Sequence, residues 1–423
     1  MNVQDLKNLP INTAPPKVMH IDLNSCFATI MQQSHKSLRG KPVLIAAYNS
    51  PRGCVVAPSI EAKALGVKTG MRVYEALGLA PHAIVRTPDT CMIRDVHMRF
   101  KKICQDYSPE VFPKSIDELV IDFRSMDYLL KEKSMFKIGQ EIKQRILKEV
   151  GEWMRCSIGI STNRFLAKVA ASYKKPDGLI SIDHRNIHSI YNTLKLTDLP
   201  YIKERNQARL KSYGIFTIRE FINAPMSVLQ YGAFKSIIGI HWYKRIRGWE
   251  VDDVEYDRKS FGQDYSFKIA TNDKRELSTI IMKLCEKMGR RLRRHNKVAY
   301  GIHVAVMYIN GSYWHMGRKT DTSMYATIEL YKRVWVILTQ SDIKEKIAKI
   351  SVSCYDLHDY EVNQLSLFET CDTKLREVSK ALDKINDRYG EFVITPATMM
   401  SMDDRVIDRI SFGAVKEIQD LYQ

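Results

Sequence analysis

The sequence predicts an α+β fold divided among several domains, and three observations carry that reading. Short apolar runs with β character are followed by helix-like or loop segments, without the strict alternation of a doubly wound sheet. Between about 183 and 250 the pattern turns helical, with short connections at Gly214, Pro225 and Gly232. A second mixed module follows it. The 423 residues allow two to four domains at roughly 100–200 residues each.

Residues 1–16 read as a loose lead-in that ends in Ala14-Pro15-Pro16. Val18, Met19, Ile21 and Leu23 form the first strand-like run, Pro42 to Tyr48 the second and Cys54 to Ala57 the third. Ser59 can cap a helix that stops at Gly66. Ile138, Ile142, Ile146 and Val150 recur every four residues, one face of a helix ending at Gly151. Cys156 to Ile160 is expected as a strand and Asn163 to Lys174 as a helix, closed by Lys175-Pro176-Asp177-Gly178. Residues 251–260 read as a linker. Beyond it come a long helix, Leu277 to Arg294, and β-like runs at Tyr300 to Tyr308, Tyr325 to Glu329 and Ile350 to Cys354. A last amphipathic helix carries Leu375, Val378, Leu382 and Ile385 and ends at Gly390.

Composition narrows the function. Hydrophobic residues make up 45% and charged residues 27%, a globular balance that excludes a mostly disordered chain. No apolar stretch approaches the ~18 residues of a membrane span. No secretory signal is visible, and the eight scattered cysteines form no C-x-x-C pair, so a reducing cytoplasm is expected. Lys and Arg number 65 against 48 Asp and Glu, a net charge of +17 that favours a polyanionic partner, nucleic acid before membrane.

Asp22 closes the first strand-like run, and Asp117 and Glu118 stand side by side before Leu119 to Ile121. Adjacent carboxylates on a strand point to opposite faces, but at a strand end both can reach one site. Three carboxylates can hold two Mg²⁺ roughly 3.5–4 Å apart for in-line phosphoryl transfer. Taken alone, an Asp-Glu pair is usually solvated surface, and the wider motif context is what promotes this one.

His20-Ile21-Asp22-Leu23-Asn24-Ser25-Cys26-Phe27-Ala28 resembles the first motif of the Y-family (translesion) DNA polymerases. Ser115-Ile116-Asp117-Glu118 resembles their S-x-D-E motif. Ser157 to Ser161, Asn163, Ala167-Lys168, Ala170 and Lys175-Pro176-x-Gly178 resemble a third block. Order and spacing match over about residues 17–355, and Asn24 with the run Glu61 to Lys68 looks closest to the catalytic subunit of DNA polymerase V. The resemblance implies a right-hand architecture: palm at 17–24 and 90–182, fingers at 25–89, a helical thumb at 183–250, a linker at 251–260, a separate α/β little finger at 261–355 and a tail at 356–423.

It also implies roles. Asp22 and Asp117 would bridge two Mg²⁺ ions, Glu118 would bind the catalytic ion and the Leu23 carbonyl the nucleotide-side ion. Phe27 matches the steric gate against a ribose 2′-hydroxyl, Lys175 the triphosphate-binding lysine, and Lys63 stands where many relatives have Arg. Ala57 and Ile60 replace a Thr and a Tyr. In the thumb hairpin, Tyr201 and Lys203 replace glycines that usually cradle phosphate, leaving Lys203 and Arg205 to act by charge. Arg290, Arg291 and Arg294, with Arg318, are expected on duplex DNA. Gln364-Leu365-Ser366-Leu367-Phe368 resembles a bacterial sliding-clamp-binding motif, with Gln364, Leu365, Leu367 and Phe368 as its contacts.

The expected function is therefore template-directed, low-fidelity addition of deoxynucleotides to a primer opposite damaged template. Primer–template DNA, deoxynucleoside triphosphates, the sliding clamp and accessory subunits of the SOS response would be the partners. A non-catalytic polymerase-fold protein that binds DNA and clamp is the alternative, and a two-metal nuclease is a further one. Phe27 and Lys175 argue against the nuclease, and the presence of all three carboxylates argues against the non-catalytic protein.

Overall fold

The computed structural model describes residues 9–254, 257–341, 345–360, 372–389 and 392–400. The chain divides into two compact units, the first running to Glu255 and the second beginning at Tyr256. Both mix helix and sheet, the α+β class the sequence predicts.

The first unit is built on a five-stranded sheet in the order Val111–Pro113, Glu118–Asp122, Val18–Leu23, Cys156–Ser161, Leu179–Ser181. Val18–Leu23 lies in the middle, antiparallel to both neighbours. Alternation along this strand separates two jobs. Met19, Ile21 and Leu23 join Leu119, Ile121, Ile158 and Ile160 in the main core, with residues of the helices Cys26–Ser34, Thr90–Gln105 and Met135–Arg145. Val18, His20 and Asp22 face the other way. Opposite them stand Val120 and Glu118 on one side and Ser161, Gly159 and Ser157 on the other.

The helix Arg164–Tyr173 covers that second face. Asn163 caps it by accepting from the Leu166 N–H, and its amide donates to the Arg245 and Trp249 carbonyls. Phe165 and Leu166 on this helix enter a separate core with Trp242, Phe221 and Phe234, formed by the helices between 187 and 245. A three-stranded sheet, Val55–Pro58, Val43–Ala46, Ile84–Arg86, has its own small core around Leu44, Val55 and Val73. Ser59 caps the helix Ile60–Ala64 as its sequence indicates. Residues 251–254, expected as part of a linker, are tied down: Arg245 pairs with Asp252, and the Arg164 guanidinium donates to the Asp252 carbonyl.

The second unit has a four-stranded antiparallel sheet, ordered Tyr313–Met324, Lys297–Tyr308, Ile347–Asp359, Ser260–Thr271. Two helices, Lys274–Arg294 and Thr327–Leu338, share its core. The run Tyr325 to Glu329, expected as strand, instead enters the second of these helices. The Glu329 carboxylate accepts from the Tyr325 and Ala326 N–H groups, and this cap outweighs the aromatic and β-branched character of the segment.

A final helix, Asp372–Tyr389, lays Asp383 and Asp387, one turn apart, against the basic run. Arg293 forks onto Asp383 at 2.5 and 2.8 Å, and Arg290 and Arg294 both pair with Asp387. Among the described residues no helix is long and apolar enough to cross a membrane.

Candidate active site

A cleft of about 670 Å³ opens in the first unit where the central strand ends. Asp22, Leu23, Asp117, Glu118, Lys63 and Lys175, separated by up to 153 positions in sequence, all line it. The strand register places Asp22 directly opposite Glu118 on one face of the sheet. Asp117 precedes the strand Glu118–Asp122, so it escapes strict alternation and turns into the same cleft, where its carboxylate accepts from the Ser115 hydroxyl at 2.6 Å.

The loop after the Arg164–Tyr173 helix brings in Lys175. Asn24, buried just beyond the central strand, donates to Ser157 Oγ at 3.0 Å and accepts from the Asp177 N–H at 2.7 Å. Lys143 adds a 2.8 Å ion pair to Asp177. Held in this way, Lys175 reaches Asp22 at 2.5 Å. Lys168, one turn into the same helix, donates to Glu118 at 2.6 Å.

Burial of so many charges has electrostatic consequences. Desolvation pushes Asp22 up to about 7, despite Lys175, and Asp117 and Glu118 add repulsion. Asp117 is raised by burial as well. For Glu118 burial also works against the charge, but His20 and the Lys168 ammonium together outweigh it and hold it below the usual carboxylate range. Desolvation draws Lys63 down, with Lys175 adding to the effect. His20 lies 3.8 Å from Glu118, and burial lowers it to about 3, so it is neutral at physiological pH. Neither of its ring nitrogens has a hydrogen-bond partner among the described residues. Oxygen ligands on His20's neighbours Asp22 and Glu118 lie within 4.8 Å of one another, close enough to share a cation. Three carboxylates converging on one cleft are the donor set of a hard divalent cation.

The remaining expected residues fall into two groups. Lys203 and Arg205 are exposed beside Tyr201, which adopts a left-handed φ of 69°. The hairpin thus keeps the backbone shape of a glycine turn without the glycine. Arg318 is exposed, and its guanidinium donates to Gln340.

Others are enclosed or paired within the protein. Phe27 is fully enclosed in the main core, while its neighbours Leu23 and Cys26 line the cleft. The helix begins at Cys26, and one helical step turns the next side chain away from the opening. Arg290 is only 4% exposed and, like Arg294, pairs with Asp387. Arg291 donates to the Gly262 carbonyl and stacks over Phe261. Gln364, Leu365, Leu367 and Phe368 lie outside the described residues.

Sequence reasoning passed over Thr69, which lines the cleft, as well as Lys168 and the buried Asn24. The block Ala167-Lys168-x-Ala170 was the available signal for Lys168.

A family model described as the impB/mucB/samB family matches residues 21–172, and the model of its C-terminal domain matches residues 258–367. A curated relative from Moorella thermoacetica, named DNA polymerase IV, is 32% identical over 401 residues, covering 91% of this chain and 96% of its own. Another of that name, from Pelotomaculum thermopropionicum, is 30% identical over 389 residues, covering 91% and 95%. The fold is similar to that of a Y-family DNA polymerase chimera of Dbh and Dpo4, with a TM-score of 0.67 and 22% identity over 81% of this chain and 99% of that one. An insertion ternary complex of Dbh DNA polymerase gives a TM-score of 0.57 at 21% identity, with the same shares covered. The relatives correct the expected branch, from DNA polymerase V to DNA polymerase IV. The likeness to polymerase V rests on Asn24 and one eight-residue run, whereas these identities extend over most of the chain.

Proposed function

This chain belongs to the Y family of DNA polymerases, and from that premise we propose how its own residues carry the reaction. It is a DNA-directed DNA polymerase of the translesion class. The observation that carries the mechanistic reading is the convergence of Asp22, Asp117 and Glu118 with Lys63 and Lys175 on one cleft.

The carboxylates fit divalent cations, and Asp22, Asp117, Glu118 and the Leu23 carbonyl would hold two Mg²⁺. Held there, they would supply activation of the primer 3′-hydroxyl and neutralisation of charge on the transferring phosphate. Lys63 and Lys175 bind the triphosphate of the incoming deoxynucleotide. Val56, Ala57 and Ile60 give the cleft an apolar wall against which a base can lie. Ile60 offers no hydrogen bond there, so orientation of the phosphates falls to the two lysines. Lys203, Arg205 and Arg318 hold primer–template backbone by charge. Accessory subunits of the SOS response and a cytoplasmic, nucleoid-associated location complete the proposal.

Purified protein with Mg²⁺ and the four deoxynucleotides should extend a primer on intact template and past an abasic site. Absence of extension on both templates would overturn the reading in favour of a non-catalytic DNA- and clamp-binding protein.

For sugar selection we assign Phe27 a place beneath the cleft floor formed by Leu23 and Cys26. Phe27→Ala should gain ribonucleotide incorporation relative to deoxynucleotide, because the void opens toward C2′. It should also lose about 3–5 kcal/mol of stability as a buried aromatic truncation. Urea unfolding and single-nucleotide insertion kinetics measure the two effects. A destabilised variant with unchanged sugar preference makes Phe27 a packing residue alone.

Gln364 to Phe368 tether the enzyme to a sliding clamp, which raises its local concentration at the primer end. Leu367→Ala with Phe368→Ala should leave clamp-free extension intact and remove the stimulation that clamp gives the parent. Equal stimulation of both proteins would place the tether elsewhere.

A further inference from the structure

Two ammonium groups sit on the acidic cluster. Lys175 lies on Asp22, and Lys168 lies 2.6 Å from Glu118 Oε2. Lys175 already serves the triphosphate in the reading above, but nothing so far uses Lys168. Its side chain is 26% exposed and that of Glu118 17%, so the pair lies at the wet edge of the cleft.

The surroundings of Lys168 point outward from the cleft. The Tyr201 phenol lies within its electrostatic reach. Tyr201 is 61% exposed and opens the hairpin that continues to exposed Lys203 and Arg205. Positive charge is therefore available at Lys168, beside a metal-type carboxylate, and again at Lys203 and Arg205 on this hairpin. A nucleic-acid strand whose 3′ end lies at Glu118 would meet Lys168 first.

Glu118 cannot give the same oxygen fully to an ammonium and to a divalent cation, because both take its lone pairs. We propose that Lys168 is a primer-phosphate ligand held in reserve on Glu118: once Glu118 ligates a divalent cation, the ammonium leaves it and pairs with a backbone phosphate beside the primer 3′ end. This rests on the polymerase reading. It makes metal and primer binding mutually reinforcing, since each removes a competitor of the other, and such coupling is reciprocal.

Mn²⁺ binding, followed by electron paramagnetic resonance in the absence of nucleotide, tests the idea without turnover. In the parent, primer–template should tighten Mn²⁺ by about fivefold or more. Lys168→Ala should bind Mn²⁺ several-fold more tightly than the parent when DNA is absent, and added DNA should no longer change that affinity. The slope of log DNA affinity against log salt, measured with Mn²⁺ present, should fall by about 0.9, the loss of one phosphate contact. Lys168→Arg should restore both the coupling and the slope, which a general packing defect would not allow.

Unchanged or weaker Mn²⁺ binding by folded Lys168→Ala would overturn the competition, and an unchanged salt slope would overturn the phosphate contact. Lys168→Gln, which keeps most of the stem, supplies the same readings should Ala disturb the helix. Failure of the polymerase reading has a different signature: the parent itself would neither extend primers nor bind Mn²⁺ at Asp22 and Glu118.

Discussion

Primer extension by the Asp117→Ala, Glu118→Ala double variant is expected to fall by at least about a thousandfold, while primer–template binding persists. The expectation follows from the electrostatics of the cleft. Desolvation and the neighbouring carboxylates lift Asp22 to about 7, and burial raises Asp117. Such a cluster is unfavourable for the free protein and becomes favourable only with compensating positive charge. Removing two of its three acids removes the reason for a divalent cation to enter and leaves Lys175 on Asp22 unopposed. DNA binding should survive because the proposed phosphate contacts Lys203 and Arg205 do not line the altered cleft. Extension kinetics and fluorescence anisotropy on the same preparation separate the two effects. Near-normal extension would falsify the catalytic assignment.

Gly159→Ala is expected to destabilise the first unit by roughly 3 kcal/mol and to reduce extension with it. A Cβ at Gly159 would lie 2.0 Å from the Ala167 carbonyl oxygen and 2.2 Å from the Ala171 nitrogen. Both are backbone atoms of the helix Arg164–Tyr173, so no side chain can swing aside. The helix must lift off the sheet as a body, and it carries Asn163 at its start and Lys168 on its cleft side. Loss of packing and loss of alignment should therefore appear together. Urea denaturation should show a lower midpoint for the first unit with an unchanged slope. A midpoint equal to the parent's would mean that the helix does not rest on Gly159.

Most of the local architecture was legible in the chain. Four-residue spacing gave the helix around Ile138 and a cap gave the helix after Ser59, because both signals act within a turn or two. The strand holding Asp22 was visible as an apolar run ending at a turn. Reading failed where local and tertiary preferences diverge. Tyr325 to Glu329 looks like a strand by composition, yet the Glu329 carboxylate caps a helix there. Tyr201 hid a glycine-like turn, since a non-glycine residue adopts the left-handed region only when its surroundings hold it there.

Taken by itself, the sequence determined the α+β class and the family, and it singled out the three carboxylates and Lys175 that line the cleft. Each of these is a property of residue identity at fixed local spacing. Tertiary structure alone decided which charges meet. Placing Val18–Leu23 between Glu118–Asp122 and Cys156–Ser161 sets Asp22 opposite Glu118, and laying Arg164–Tyr173 over that face brings Lys168 onto Glu118 from fifty positions away. The same kind of long-range closure sends Arg290, Arg293 and Arg294 to Asp383 and Asp387 and encloses Phe27 in the core. Strand order and helix docking are fixed by packing whole surfaces against one another, and a short window of sequence carries no record of which distant surface it will meet.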